Sequence, residues 1–327
     1  MARIFVYITH KAGVPDDAAF ELLSAAKRID ANSDCTAIVA GCGGELDSAS
    51  DALRNFYPEV WALRSDALAY PNAELVRQAL VRVLPPAGIV LLAHDHFGID
   101  LAPGLSIKLN AAFVSDLTAI EGLEQERLKV VRQEFGGQLS THVQCDISAG
   151  TVLTIRPGVF KTLSSSPANG LVVDKSPAIG PLAARRRYIK TIVPEAGDVD
   201  ITKYSILVSV GRGIQEKDNI SIAQELADAL GAALSCSRPV VDAKWLDKSR
   251  QVGSSGKTVK PKVYLACGIS GAFQHLAGLK GNPCIIAINK NPKAPIFQVA
   301  DVGIVDDILE FLPALTSRVR EARKVAA

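Results

Sequence analysis

The sequence predicts an α/β fold in two domains, each built on a largely parallel sheet flanked by helices. Three features of the 327 residues carry that reading. Short unbroken apolar runs recur, as strands buried on both faces require. Segments with helical apolar spacing lie between them. A polar stretch around residues 163–203 separates two such series, and a chain of this length suits about two domains of roughly 150 residues.

In the first series, Ile4–Ile8 reads as a buried strand. Pro15, Asp16 and Asp17 then open a helix whose Phe20, Leu22, Leu23, Ala26 and Ile29 recur at helical spacing. Cys35–Ala40 is a second strand, stopped by Gly41-Cys42-Gly43-Gly44. Asn72 caps a helix carrying Leu75, Val76, Ala79, Leu80 and Val83, and Gly88–Ala93 is a third strand. After Asp116 the strands Lys129–Arg132, Thr141–Asp146 and Val152–Ile155 follow closely, so an extended or antiparallel part of the sheet is expected.

Ser164–Pro167 reads as loop, Arg185-Arg186-Arg187 as a solvated basic face, and Pro194–Asp198 as a linker. The boundary is placed near residue 193, giving domains 1–193 and 194–327. The second series opens with Ile206–Val210, ended by Gly211-Arg212-Gly213. Asn219 caps the helix Ile220–Leu230 and Gly231 closes it. The strands Val263–Ala266, Cys284–Ile288 and Val302–Val305 follow, then an amphipathic helix from Ile308 towards Val325.

Composition removes several functions. Hydrophobic residues make up 48% and charged residues 21%, which excludes general disorder. A net charge of +2 does not build a nucleic-acid-gripping surface, and 6% aromatic residues do not build a base-stacking platform. The six cysteines form no CxxC pair and read as reduced, mostly buried thiols. No run approaches the roughly 20 apolar residues that cross a bilayer. A soluble, cytoplasmic protein without direct membrane insertion is the expectation.

Three motifs are nearly present, and each fails. Gly253–Thr258 ends like a P-loop, but Gln251 stands where its first glycine belongs. Gly268–Ala272 resembles a nucleophile elbow, but Ala272 replaces its last glycine. Gly211-Arg212-Gly213 would need a third glycine where Glu216 stands. His94 and His96 would share a strand face and offer two metal ligands with no third, so a polar turn is the simpler reading. What remains is a series of polar, glycine-rich segments after the strands of the second domain. These are Gly211–Gly213, Ser237-Arg238, Gln251–Lys257, Gly268–His275, Asn289-Lys290 and Asp306-Asp307. In an open parallel sheet ligands bind beyond the carboxyl ends of the strands. Such segments suit a dinucleotide through main-chain N–H groups, the charge of Arg212 and acceptors such as Asn289 and Asp307. Ordinary turns are the alternative.

Several of these segments carry a specific resemblance. Ser209–Gly213, Ser237–Asp242, Gln251–Gly253, Pro261–Gly278 (PKVYLACGISGAFQHLAG), Ala287–Lys290, Ala294–Phe297 and Ala300–Asp307 stand in one order. That order resembles the electron transfer flavoprotein α-subunit family, which includes the FixB proteins. The first domain is similar more loosely, through Asp100–Pro103, Val114–Asp116 and Thr154–Phe160.

The resemblance implies an adenine nucleotide α-hydrolase-like first domain that packs on a β subunit, and a Rossmann-like second domain that binds FAD. It implies a heterodimer whose β subunit carries AMP. It also implies a redox carrier rather than an enzyme. Electrons would come from flavin dehydrogenases, typically the acyl-CoA dehydrogenases of fatty acid β-oxidation, and leave to a membrane quinone reductase. Some relatives instead bifurcate electrons, oxidising NADH at a second FAD in the β subunit. A non-redox nucleotide-binding module is a third reading.

By the same resemblance Arg212, Ser237, Ser270, Gly271 and Ala272 line the ribityl-pyrophosphate stretch. Val252, Gly253, Ser254 and Ser255 wrap the ring and ribityl chain, and Arg238 lies against the isoalloxazine. His275 bonds its pyrimidine carbonyl, beside Gln274. Asn289 and Asp307 hold the adenosine end. Gln251, Phe273 and Ile308 complete the cofactor-binding set, and no metal or catalytic residue is implied. The chain departs from the family's usual pattern in four places: Ser255 replaces a threonine, Ser254 a glutamine, Gly104 an arginine after Pro103, and Gln138 an asparagine.

Overall fold

The structure, a computed structural model, describes residues 3–135, 139–161, 169–190 and 199–326. The expected loop at Ser164–Pro167, the linker at Pro194–Asp198, the boundary near 193 and the Gly136-Gly137-Gln138 departure lie wholly or mostly outside the described residues. The chain forms two compact units, Met1–Lys190 and Thr191–Ala327.

In the first unit β1 (Ile4–Ile8) leads to a small hairpin of β2 (His10–Lys11) and β3 (Val14–Pro15). Next come α1 (Ala18–Ile29), β4 (Cys35–Gly41), α2 (Gly43–Leu53), β5 (Glu59–Arg64), α3 (Ala73–Val83), β6 (Ile89–Ala93) and α4 (His96–Leu109). The strands β7 (Ala112–Glu124), β8 (Arg127–Glu134), β9 (Leu139–Asp146), β10 (Thr151–Ile155) and β11 (Leu171–Asp174) follow, then the short α5 (Ser176–Ile179). The sheet order is β11-β5-β4-β1-β6-β10-β7-β8-β9. It is parallel from β11 through β7 and antiparallel across β7, β8 and β9.

The apolar run of β1 serves two cores. Ile4, Val6 and Ile8 pack with α1 and α2, while Phe5 and Tyr7 pack with α3 and α4. That is why neither face alternates with polar residues. Helix α3 starts as expected, with the Asn72 side chain accepting from the Glu74 N–H. Two elements differ from the expectation. Gly43 and Gly44 do not merely end a strand; they form the first turn of α2. His94 and His96 do not share a strand face. Asp95 ends the strand by capping α4, accepting from the Gly98 N–H at 2.7 Å, and His96 is the first helical residue. Among the described residues no group of three metal-ligating side chains occurs.

His94 belongs to a clasp that also accounts for two of the resembling motifs. The Thr154 hydroxyl accepts from the Asp116 N–H and is hydrogen-bonded to His94 Nδ1, each at 2.9 Å. Arg156 meets both Asp116 carboxylate oxygens, at 2.8 and 2.6 Å. The clasp ties the ends of β6 and β10 to β7. Burial is the largest single effect on the Asp116 carboxylate and raises its pKa, but the Arg156 hydrogen bonds together with the charges of His94, Arg156 and Arg132 outweigh it and hold the pKa below the usual carboxylate value.

The second unit contains β12 (Ile206–Val210), α6 (Ile220–Leu230), β13 (Ala233–Cys236), α7 (Arg238–Asp242), β14 (Val263–Cys267), α8 (Phe273–Leu276), β15 (Cys284–Ile288), β16 (Val302–Ile304) and α9 (Ile308–Ala326). All five strands are parallel, in the order β13-β12-β14-β15-β16. Val208 and Val210 face a core closed by α6 and α9. Leu207 and Tyr264 face the other side, which is closed by Val252, Val259, Ile269 and Ile296. Gly231 ends α6 in the left-handed region at φ 63°. Asn219 occupies the start of α6, but its side chain makes no cap and donates instead to the Ile214 carbonyl. No helix among the described residues is long and apolar enough to cross a membrane.

Candidate functional site

Because the five strands of the second unit run parallel, their carboxyl ends share one edge. The segments after β12, β13, β14, β15 and β16 all emerge there. The loop after β12 lies directly against the loop after β14. The Gly211 N–H donates to the Cys267 carbonyl at 2.9 Å and the Gly213 N–H to the Gly268 carbonyl at 3.1 Å. A Cβ on Gly213 would stand 2.5 Å from Gly268 Cα, so main chain meets main chain. The strand order reverses between these two loops, where open parallel sheets bind ligands.

The 251–257 segment joins the same edge. The Val252 N–H bonds the Cys236 carbonyl at 2.9 Å, and the Ser254 N–H bonds the Gln274 carbonyl at 2.7 Å. Ser254, Ser255, Ser270, Ala272, Phe273 and Gln274 are exposed, as is Arg212. Ser237 is buried at the start of α7. Arg238 follows it with a side chain 69% exposed, and its Nε lies 3.4 Å from Asp242. Lys257 lies 3.3 Å from Asp200, and no helix begins at this segment, so it is not a P-loop.

His275 is 6% exposed beneath these loops. Its Nε2 is 2.7 Å from the Tyr264 hydroxyl. Its Nδ1 is buried without a hydrogen-bond partner, and the Val252 main chain lies beside the ring. Burial pushes the imidazole pKa down to about 4, against a smaller opposing effect of that main chain. The ring is therefore neutral near pH 7. Burial also keeps Tyr264 protonated by raising its pKa. Ser209 and Ser235 stand close to the same tyrosine hydroxyl. These three residues were not among the expected set. Their sequence signal was a polar side chain at an inward position of an apolar strand.

The structure does not present every expected residue in the same way. Val252 and Ile308 bury their side chains in the cores, so only their main chain can face a ligand. The Asn289 amide is engaged within the fold. It donates to the Ile269 carbonyl and accepts from the Asn291 N–H, each at 2.9 Å. Asp307 binds Lys290 at 2.7 Å and accepts from the Leu309 N–H at the start of α9. Those contacts shape the loops after β15 and β16. Gly271 allows close approach, since a Cβ there would stand 2.4 Å from the Ile296 nitrogen.

Comparison with known proteins assigns the chain to a family. Residues 4–180 match the electron transfer flavoprotein domain, and residues 200–280 match the electron transfer flavoprotein FAD-binding domain. The electron transfer flavoprotein subunit alpha of Thermoanaerobacterium thermosaccharolyticum is 33% identical over 325 residues, covering 98% of each chain. The chain belongs to the electron transfer flavoprotein α-subunit family. The α subunit of Methylophilus methylotrophus is 35% identical over 314 residues, covering 95% of this chain and 97% of that one. The FixB protein of Clostridium saccharobutylicum is 32% identical over 321 residues, covering 97% and 96%. The FAD-binding match contains the positions from Arg212 to His275, while Asn289, Asp307 and Ile308 lie beyond it.

The residues present fit a flavin nucleotide. His275 Nδ1 is a buried polar atom without a hydrogen-bond partner, the kind of orphan a bound group can satisfy. The same strand-end edge carries exposed hydroxyls, glycine main chain and two exposed guanidinium groups. With Nε2 taken by Tyr264, any hydrogen bond from His275 to a ligand must come from Nδ1 or follow a turn of the ring.

Proposed function

We propose that this chain holds one FAD along the carboxyl edge of its second unit, within a heterodimer whose β subunit carries AMP. It carries electrons from flavin dehydrogenases of the acyl-CoA dehydrogenase type to a membrane quinone reductase. The observation that carries the reading is the convergence of the five strand-end segments, with Arg212 and Arg238, inside the matched FAD-binding stretch and the short run that follows it.

FAD supplies one-electron redox chemistry when bound. The protein's part is to hold it and to bias its charge. Main-chain N–H groups around Ser270–Ala272, with the side chain of Arg212, suit the pyrophosphate, while the Gly211 and Gly213 N–H groups hold the two loops together. The 251–255 segment and Ser237 frame the ribityl chain. Arg238 brings a guanidinium to the ring, where it favours added negative charge over the neutral state. His275, being neutral, offers an N–H without a competing full charge.

Arg238→Ala is expected to lower the potential for adding the first electron. A charge-assisted hydrogen bond is worth roughly 1.5–3 kcal/mol, and about 59 mV accompanies each factor of ten for one electron. The exposed, screened side chain points to the low end, about 60 mV. Spectroelectrochemical titration of the co-purified heterodimer measures this shift. An unchanged potential would remove Arg238 from the ring.

A further inference from the structure

Gln251 is 3% exposed at the head of the 251–257 segment. Its main chain is clamped on both sides. The Gln251 N–H donates to the Lys248 carbonyl at 3.1 Å, and its own carbonyl accepts from the Lys257 N–H at 2.7 Å. Gly256 makes that closure possible, since a Cβ there would stand 2.4 Å from the Gln251 carbonyl oxygen. From this fixed base the side-chain Nε2 donates to the Ser255 hydroxyl oxygen at 2.8 Å.

A serine hydroxyl that accepts from an amide keeps its own hydrogen for another acceptor. Ser255 is exposed on the ligand-facing edge, so that acceptor lies outside the fold. Serine also lacks the second Cβ substituent that makes threonine stiff at χ1. The amide of Gln251 supplies the missing restraint from outside the residue.

We propose that Gln251 is a positioning residue that fixes the Ser255 rotamer and turns its hydroxyl hydrogen toward the bound flavin. This rests on the reading of the 251–257 segment as part of the FAD site. Gln251 does not have to touch the cofactor to act.

The test is a set of variants in the co-purified heterodimer, stripped of FAD and titrated with it. Gln251→Met is close in size and has no donor. It is expected to weaken FAD binding about threefold to tenfold, the range of one net hydrogen bond. Ser255→Ala should lose as much, and Gln251→Met should then add little to it. Ser255→Thr restores the stiff side chain, so in that background Gln251→Met should cost less than about twofold. The thermal midpoint of each apo-heterodimer shows whether the variants fold. An unchanged affinity for Gln251→Met beside a weakened Ser255→Ala would overturn the positioning role and leave the site in place. Equal losses from Gln251→Met in all three serine-position backgrounds would also overturn it, because Gln251 would then act without Ser255. No loss from Ser255→Ala would instead overturn the placement of Ser255 on the flavin.

Discussion

Gly213→Ala is expected to open the FAD edge and destabilise the second unit by about 2–3 kcal/mol, the range for forcing a methyl into closed packing. The added Cβ would meet Gly268 Cα at 2.5 Å and the Gly268 carbonyl oxygen at 3.0 Å. Both are main-chain atoms at the end of β14, so no side chain can swing aside. The loops after β12 and β14 must separate, and the N–H to carbonyl bond from Gly213 to Gly268 must stretch. FAD affinity should fall more than tenfold with the lost alignment. Gly44→Ala is the control. A Cβ there meets nothing within 4 Å in the first turn of α2, so stability should hold or rise slightly. Thermal melts with FAD titration check both. A Gly213→Ala protein with unchanged midpoint and affinity would show that the two loops are not in main-chain contact.

Acid should weaken the second unit through His275. His275 is held neutral, with its pKa lowered from 6.5 to about 4. Between those values the unfolded chain binds a proton that the folded chain refuses, so stability rises with pH across that window. The contribution is complete above about pH 6.5 and is lost as pH falls towards about 4. By pH 5 the loss is about 2 kcal/mol, a drop of several degrees in melting temperature. His94 is also lowered by burial and adds a loss of the same sign in the first unit. The diagnostic is therefore the difference between the wild-type chain and His275→Gln. The variant should show a shallower dependence of melting temperature on pH between 7 and 5. Identical slopes would mean that His275 titrates near its ordinary value and is not buried as described.

Much of the architecture was legible because parallel sheets leave a strong signature. Ile4–Ile8, Ile206–Val210 and Cys284–Ile288 are apolar on both faces, and each became a strand between two cores or packed layers. The elements that escaped were those whose composition argues locally against them. Helix α2 starts on Gly43 and Gly44, both poor helix formers, and is held by burying Leu46, Ala49 and Leu53. Strand β5 mixes Glu59 and Arg64 with apolar residues, and β13 is only four residues long. Both exist because neighbouring strands pair with them.

The candidate site was legible as a set of loops but not as a set of side-chain roles. Glycine and serine after successive strands marked the segments that the parallel sheet gathers on one edge. Nothing local in sequence says that Asn289 turns back to the Ile269 carbonyl, or that Asp307 is occupied by Lys290 and α9. The Tyr264 contact with His275 joins β14 to α8, and the segment Pro261–Gly278 holds both residues without saying that they meet. Contacts of this kind depend on tertiary packing.

The most direct test of the central claim is a cofactor count on the co-purified heterodimer. The complex is denatured, and released nucleotides are separated and quantified by chromatography. One FAD and one AMP per heterodimer is the result expected of a single-flavin carrier. Two FAD without AMP would contradict it and point to a bifurcating, NADH-oxidising complex. A folded heterodimer that releases neither FAD nor AMP would contradict the assignment of the strand-end edge to a flavin.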